Sequence, residues 1–326
     1  MLKTYVCESD RLAEIDTAAA SASAVWFDLL NPEAAEVTGV EAALAIDIPT
    51  RDEMEEIELS ARLYQEGGAA FMTMTALAGL DSEEPTRTPV TFILKGSSVV
   101  TVRFAEPKPF HAYTTRACKA NAGQCASGEQ VMLGLLEAMT DRIADALEKA
   151  AGDVDKLSRE VFSGRKRNVG KMTRDLQGVI EQIGRRAELL MMIQESLASI
   201  GRLMAYHTAI EPGGKAPGSR AAKQLAKLIQ RDATSLGEYA ESLNTRLTFL
   251  LDATLGLINL EQNGIIKIFS VAAVVFLPPT LVASIYGMNY THMPELDWTY
   301  GYPFALGLMV LSAILPYLFF KRKGWL

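Results

Sequence analysis

The run INLEQNGIIKIFSVAAVVFLPPTLVASIYGMN, Ile258–Asn289, decides how the rest of the chain is read. From Ile268 to Thr291 the chain carries no charged side chain, which is enough helix, at about 1.5 Å per residue, to cross about 30 Å of hydrocarbon. A second uncharged run, Thr299 to Phe320, follows and ends in KRKGWL. The sequence therefore predicts two membrane-spanning helices near its C-terminal end. The segment between them holds His292, Glu295 and Asp297 but no lysine or arginine. The positive-inside tendency then places the basic tail in the cytoplasm, and two crossings return the large N-terminal part to the same side. The opening MLKTYVCESD has neither the apolar stretch nor the small-residue cleavage site of a signal peptide, so no export of that part is expected.

Working upstream, Leu236, Leu243, Leu250 and Leu257 repeat every seven residues, with Ala240, Leu247 and Thr254 between them. That spacing is the seam of a long helix packed along its neighbours, and Thr254 is its one polar member. If this helix continues into the first span and ends near Tyr286, it is about 100 Å long. EPGGKAPGSR, Glu211–Arg220, reads as a flexible turn ahead of it. Earlier still, Leu147, Ala150, Val154, Leu157 and Val161, then Leu176, Ile180, Ile183, Ala187 and Leu190, step by threes and fours. They mark two amphipathic helices that separate near FSGRKRN.

Residues up to about position 125 read as mixed α/β. AVWFDLL and VTFILKGSSVVTVRF are β-branched and aromatic, the latter turning at Gly-Ser-Ser as a hairpin. PTRDEMEEIELSARLY reads as one helix, with Pro49 and Thr50 at its start and Asp52, Glu53, Glu55 and Glu56 loading the first turns. The expected layout is an α+β cytoplasmic domain at 1–130, long helices at 131–218, a stalk at 219–264, a first span at 265–288, a loop at 289–300, a second span at 301–320 and a basic tail at 321–326.

The 326 residues are 49% hydrophobic and 22% charged, with a net charge of -7, which argues against a nucleic-acid partner and suits a domain that meets cations. Cys7, Cys118 and Cys125 form no CxxC pair, and the three histidines are scattered, so neither a zinc cluster nor a disulfide framework is expected. Reduced, structurally incidental thiols are the expectation. No nucleophile–base set, Walker motif or intramembrane carboxylate points to an enzyme or a pump.

Inside the first span, counting by alternating threes and fours from Asn263 selects Ile266, Ser270, Ala273, Leu277, Thr280, Ser284 and Gly287. The stripe is mostly small or hydroxylated in a span otherwise made of Val, Leu, Ile and Phe. It suits a tight helix–helix face, or a pore lined by several copies of the helix. Pro278 and Pro279, whose freed carbonyls need partners or water, favour the pore. Tyr286, Tyr290, Trp298 and Tyr300 read as interfacial anchors. Asn289 and Gly287 also suit a left-handed helix C-cap.

YGMN closing the first span, MPEL shortly after it, GYP opening the second span and the basic terminus together resemble the CorA family of magnesium transport proteins. The likeness runs back through Ile258 and, more loosely, to WFDLLNP and EMEEIELSARLY. It implies a funnel-shaped homopentamer embedded in lipid, with five first-span helices around one pore and the second spans outside them. The family's motif falls on Gly287, Met288 and Asn289, and its pore-lining positions on Asn263, Ile266, Phe269, Ser270, Leu277, Thr280 and Ser284. Glu295 and Asp297 on the loop are placed to concentrate cations outside.

The resemblance further implies magnesium uptake, with cobalt and nickel also admitted. No covalent cofactor is expected, and magnesium serves as substrate and as cytoplasmic regulator. Regulation in the family works through divalent ions bridging acidic residues between subunits, for which Glu83, Glu84, Asp232, Glu238 and Asp252 are candidates here. Two other readings remain open: a zinc transporter of the ZntB branch, and a membrane-anchored cation sensor that does not conduct. The scarcity of histidine and cysteine speaks against the first, and the polar stripe against the second.

Overall fold

The computed structural model of the chain describes residues 1–15, 23–82, 84–119, 125–162, 169–210, 219–289, 293–294 and 298–324. It forms two compact units, Met1–Phe162 with Glu181–Leu250, and Ser163–Ile180 with Leu251–Leu326.

At the centre of the first unit, β3 (Trp26–Leu30) and β7 (Ser98–Arg103) are buried along nearly every residue and run parallel. Burial on both faces is what a continuous apolar run such as AVWFDLL requires. Around them β1 (Leu2–Glu8), β2 (Arg11–Ile15), β4 (Leu63–Glu66), β5 (Ala69–Ala78) and β6 (Thr86–Lys95) complete a seven-stranded sheet of order β2-β1-β3-β7-β6-β5-β4. All the other pairings are antiparallel. The hairpin read from VTFILKGSSVVTVRF is the β6–β7 pair, closed at Lys95 and Ser98 with Gly96 at φ 59°. Glycine adopts that left-handed backbone without a Cβ penalty.

On one sheet face Phe27, Leu29, Phe71, Ile93, Val100 and Val102 pack against Val40 of α1 (Ala34–Leu44) and Met54 of α2 (Arg51–Glu55). Each such side chain stabilises the fold by about 1.5–3 kcal/mol relative to exposure. The opposite face carries Trp26, Asp28, Thr101 and Arg103. There Trp26 Nε1 donates to Thr101 Oγ1 at 2.9 Å, and Thr101 Oγ1 donates to Asp28 Oδ1 at 2.8 Å. Arg103 grips the same carboxylate with two bonds of 2.9 and 2.7 Å, both side chains being about nineteen-twentieths buried. Phe110 of α4 (Lys108–Ala117) stacks over the guanidinium at 4.4 Å.

The expectation of one helix over PTRDEMEEIELSARLY needs correction. Thr50 does cap it, accepting from Glu53 N while Glu53 reaches back to Thr50 N, and the bonds that the Glu53 carboxylate accepts from Thr50 N and Oγ1 hold it below the usual range. The helix nevertheless stops at Glu55: Glu56 turns to ψ 143°, and Arg62 donates to its carbonyl at 2.5 Å. A separate turn, α3 (Leu59–Arg62), leads straight into β4, so Leu63 and Tyr64 belong to the sheet. Tyr64 stacks on Phe71 at 4.6 Å, a cross-strand contact that outweighs local helix preference.

Next, α5 (Gly128–Phe162) buries Leu147, Ala150, Val154, Leu157 and Val161, the set read from its periodicity. Its first residue rests on the β6–β7 turn: Gly128 N donates to Ser97 O at 2.7 Å, and a Cβ there would meet Ser98 C and Val99 N at 2.3 Å. Gly128→Ala is therefore expected to destabilise the protein by about 1–3 kcal/mol, read as a lower thermal midpoint. Gly152→Ala, on the same helix with nothing within 4 Å, provides the control and should not lower it.

In α6 (Val169–Ile210), Leu176, Ile183 and Leu190 are buried, with Val179 rather than its neighbour Ile180 completing the stripe. Then α7 runs unbroken from Ser219 to Tyr286, 68 residues. Its seam in the first unit buries Ala240, Leu243, Leu247 and Leu250, and continues N-terminally through Ala222, Ala226, Ile229 and Ala233. Within that unit Arg246 bonds Asp155 at 2.6 Å, Arg186 bonds Asp153 at 3.0 Å, and Phe249 stacks on Phe162 at 6.1 Å. In the second unit Thr254 is fully buried, and α8 (Gly301–Arg322) is the second apolar helix. The turns read from FSGRKRN and EPGGKAPGSR fall mainly on 163–168 and 211–218, outside the described residues.

Candidate permeation site

The C-terminal third of α7 and all of α8 are long and apolar enough to cross a membrane, with mean hydropathy of 2.2 and 2.0 over their best windows. Pro278 and Pro279 lie inside α7, so the carbonyls of Val274 and Val275 lose their helical donors. At 100° per residue, Asn263, Ile266, Phe269, Ser270, Leu277, Thr280 and Ser284 occupy about a third of the helix circumference. All of them are exposed, Phe269 and Leu277 at 73% and 67%. Val271, on the far side, is 4% exposed. The face read from spacing is thus uncovered in the single chain, as are Ile268, Val274 and Phe276 on other sides of the same helix.

Two kinds of surface alternate along this face. Ile266, Phe269 and Leu277 are apolar and bulky, whereas Ser270, Thr280 and Ser284 carry hydroxyls. Thr280 Oγ1 donates to Phe276 O at 2.8 Å. Its hydrogen is thereby occupied inside the helix, and its oxygen lone pairs remain as acceptors. A cation or its hydration shell needs acceptors of that kind.

The end of the helix is where the structure departs from the capping expectation. Gly287 N still donates to Ala283 O at 2.9 Å, and Met288 N to Ile285 O at 3.2 Å. Among the described residues with positive φ, neither Gly287 nor Asn289 is found, so Asn289 is no left-handed cap. Gly287 is small for another reason: a Cβ there would come within 3.1 Å of the Ala283 carbonyl. Asn289 is exposed, its amide available to what lies beyond the helix. At the other end of the loop Trp298 packs edge-on to Tyr300 at 6.3 Å and against Phe304 at 5.7 Å, and Tyr286 is half-buried. Tyr290, Glu295 and Asp297 lie outside the described residues.

Of the acidic candidates, Glu84, Asp232, Glu238 and Asp252 are exposed and Glu83 lies outside the described residues. Among the described residues, no three of His, Cys, Asp and Glu gather to hold a metal ion. Glu238 shares a shallow groove with Lys227 and Arg231. Near Glu84, Asp81 is engaged by Lys108 and Arg142, which hold its carboxyl below the usual Asp range of about 3.9. A carboxyl depressed in the folded state stabilises above its unfolded pKa and loses that contribution as pH falls. Lys108→Ala should raise the Asp81 midpoint, followed by NMR with labelled aspartate. The sequence carried no sign of this bridge, since its partners are far apart along the chain.

A mixed sheet domain, a helix running from it into an apolar span, and a second span define a two-span membrane protein with a large non-membrane domain. Residues 21–322 match the family described as CorA-like Mg2+ transporter protein, and the chain belongs to that family. The magnesium transport protein CorA of Salmonella typhimurium is 36% identical over the whole of both chains. Among solved structures, the complete CorA magnesium transporter of Methanocaldococcus jannaschii covers 100% of this chain and 99% of its own, with a TM-score of 0.78 at 16% identity. The ZntB cytoplasmic domain of Vibrio parahaemolyticus covers 79% of this chain and 97% of its own, at 0.58 and 10%. At these identities the two structures show the fold alone. As a family member the chain is a transport protein rather than an enzyme. It crosses the inner membrane with α8 and the end of α7, its N-terminal domain cytoplasmic.

Proposed function

We propose that the chain assembles as a homopentamer and conducts hydrated magnesium into the cell through a pore lined by the exposed face of α7. The observation that carries this reading is that face itself: acceptor hydroxyls and an uncapped Asn289 on a membrane helix, left uncovered by its own chain. The family match and the magnesium transport named for the Salmonella relative support the choice of ion.

Magnesium is small, octahedral and slow to shed water, so it is best held through its hydration shell. Rings of Asn289 amides, then of Ser284, Thr280 and Ser270 hydroxyls, accept hydrogen bonds from that water without adding negative charge, which keeps binding weak enough for release. Gly287 and Met288 shape the mouth, Asn263 lies at the inner end, and Ile266, Phe269 and Leu277 form apolar constrictions. Glu295 and Asp297 raise the cation concentration outside. Each divalent ion gains about 4.6 kcal/mol per 100 mV of inside-negative potential, so no other fuel is needed. Cobalt and nickel, divalent and also octahedral in water, pass by the same route.

Closure follows cytoplasmic magnesium bound between subunits by acids from Glu83, Glu84, Asp232, Glu238 and Asp252. Occupied sites stabilise the closed state by differential binding. Zinc selectivity is disfavoured by the absence of imidazole or thiolate on the α7 face.

Cells deprived of their own magnesium uptake systems test this reading. Expression of the chain should restore growth in low magnesium and increase cobalt sensitivity. Correct membrane insertion without rescue would count against uptake, leaving export, zinc transport or sensing.

A further inference from the structure

Cys7, near the end of β1, and Cys125, just ahead of α5, are 118 positions apart in sequence, yet their Sγ atoms lie 2.9 Å from each other. Unbonded sulfurs do not ordinarily sit so close, and a disulfide at about 2.05 Å needs less than about 1 Å of further approach. The backbones that bring them together are fixed independently. Cys7 is paired in register with Leu12 of β2, and α5 starts from the bond of Gly128 N to Ser97 O. Both thiols are free, Cys7 partly exposed and Cys125 buried, while the third, Cys118, is exposed. The thiols are free, as expected, but their spacing gave no sign that two of them meet.

We propose that Cys7 and Cys125 form a reversible dithiol–disulfide site that clips β1 to the start of α5 when the cytoplasmic domain meets a peroxide. Disulfides in reducing compartments are characteristically transient and redox-sensing, which suits a pair with one accessible member. Burial, and then the bond to Cys7, push the Cys125 thiol up to about 12, so Cys7 is the group that reacts first. The Cys7 thiolate attacks one peroxide oxygen, the O–O bond breaks, and the departing hydroxide takes a proton to leave as water. Cys7 is then a sulfenic acid. The Cys125 sulfur attacks the Cys7 sulfur, the S–O bond breaks, and the hydroxyl leaves with the Cys125 proton as a second water. Two thiols are oxidised and one peroxide is reduced. A thiol reductant reverses the step.

The test uses the full chain in detergent, treated with hydrogen peroxide, unfolded, and alkylated with a maleimide before peptide mapping. Expected are a Cys7–Cys125 linked peptide within one chain, maleimide on Cys118 alone, reversal by dithiothreitol, and a thermal midpoint raised by about 5 °C. Cys118→Ser should keep the linkage and the shift, and Cys125→Ser should lose both. Should Cys125→Ser fail to fold, the peptide map of the unaltered chain decides. Maleimide on both Cys7 and Cys125 after peroxide, a linkage through Cys118, or one between chains would overturn the proposal.

Discussion

Replacing Asn289 with alanine is expected to abolish magnesium uptake while leaving the protein folded and inserted. The side chain is exposed just beyond the last helical bonds and does not sit in a left-handed cap. Stability should therefore hold, separating this variant from one that merely unfolds. In a symmetric assembly the substitution removes one acceptor from every subunit at once. With about 1 kcal/mol for each lost hydrogen bond, two such losses already amount to about thirtyfold, and a full ring takes flux to background. Asn289→Asp separates acceptor geometry from charge. It keeps oxygen acceptors but adds negative charge, so magnesium should bind more tightly at the mouth and cross more slowly. Both variants are read by dye-reported uptake in proteoliposomes, with thermal midpoints measured alongside.

Arg103→Ala is expected to cost about 3–5 kcal/mol of stability. The Asp28 carboxylate would stay buried with only Thr101 to answer it, and the cation over Phe110 would be gone. The bridge joins neighbouring strands β3 and β7, so its loss strikes the centre of the sheet. Chemical unfolding followed by fluorescence in a background that keeps Trp26 as its one tryptophan, with Trp298 and Trp325 replaced by Phe, gives the measurement. Replacing both Asp28 and Arg103 by apolar residues of similar volume should cost clearly less, because no unpaired charge is left behind.

How much of this was legible in the sequence follows from how local each signal is. The spans, the long helix leading into the first of them and the central strands rest on patterns within one segment, and the fold shows all of them. The heptad leucines pointed to the seam, although Leu236 and Leu257 are only half-buried and alanines carry its N-terminal end. The helix expected over PTRDEMEEIELSARLY failed where the next strand, β5, paired with Leu63 and Tyr64 across the Gly67–Gly68 turn. Contacts that join remote segments left no trace in spacing: the Asp28–Arg103 bridge, the engagement of Asp81, and the meeting of Cys7 with Cys125. The polar stripe was legible as a periodicity. Its exposure required the structure, because the same spacing describes a packed helix face.

The most direct test of a magnesium-conducting α7 face is the initial rate of magnesium influx into proteoliposomes of the purified chain as an inside-negative potential is imposed in steps. The account predicts influx that needs no nucleotide or proton gradient and rises with the potential, driven by about 4.6 kcal/mol per 100 mV for each ion. Folded, correctly inserted protein that passes no magnesium at any potential, or passes it at a rate indifferent to the potential, would contradict it.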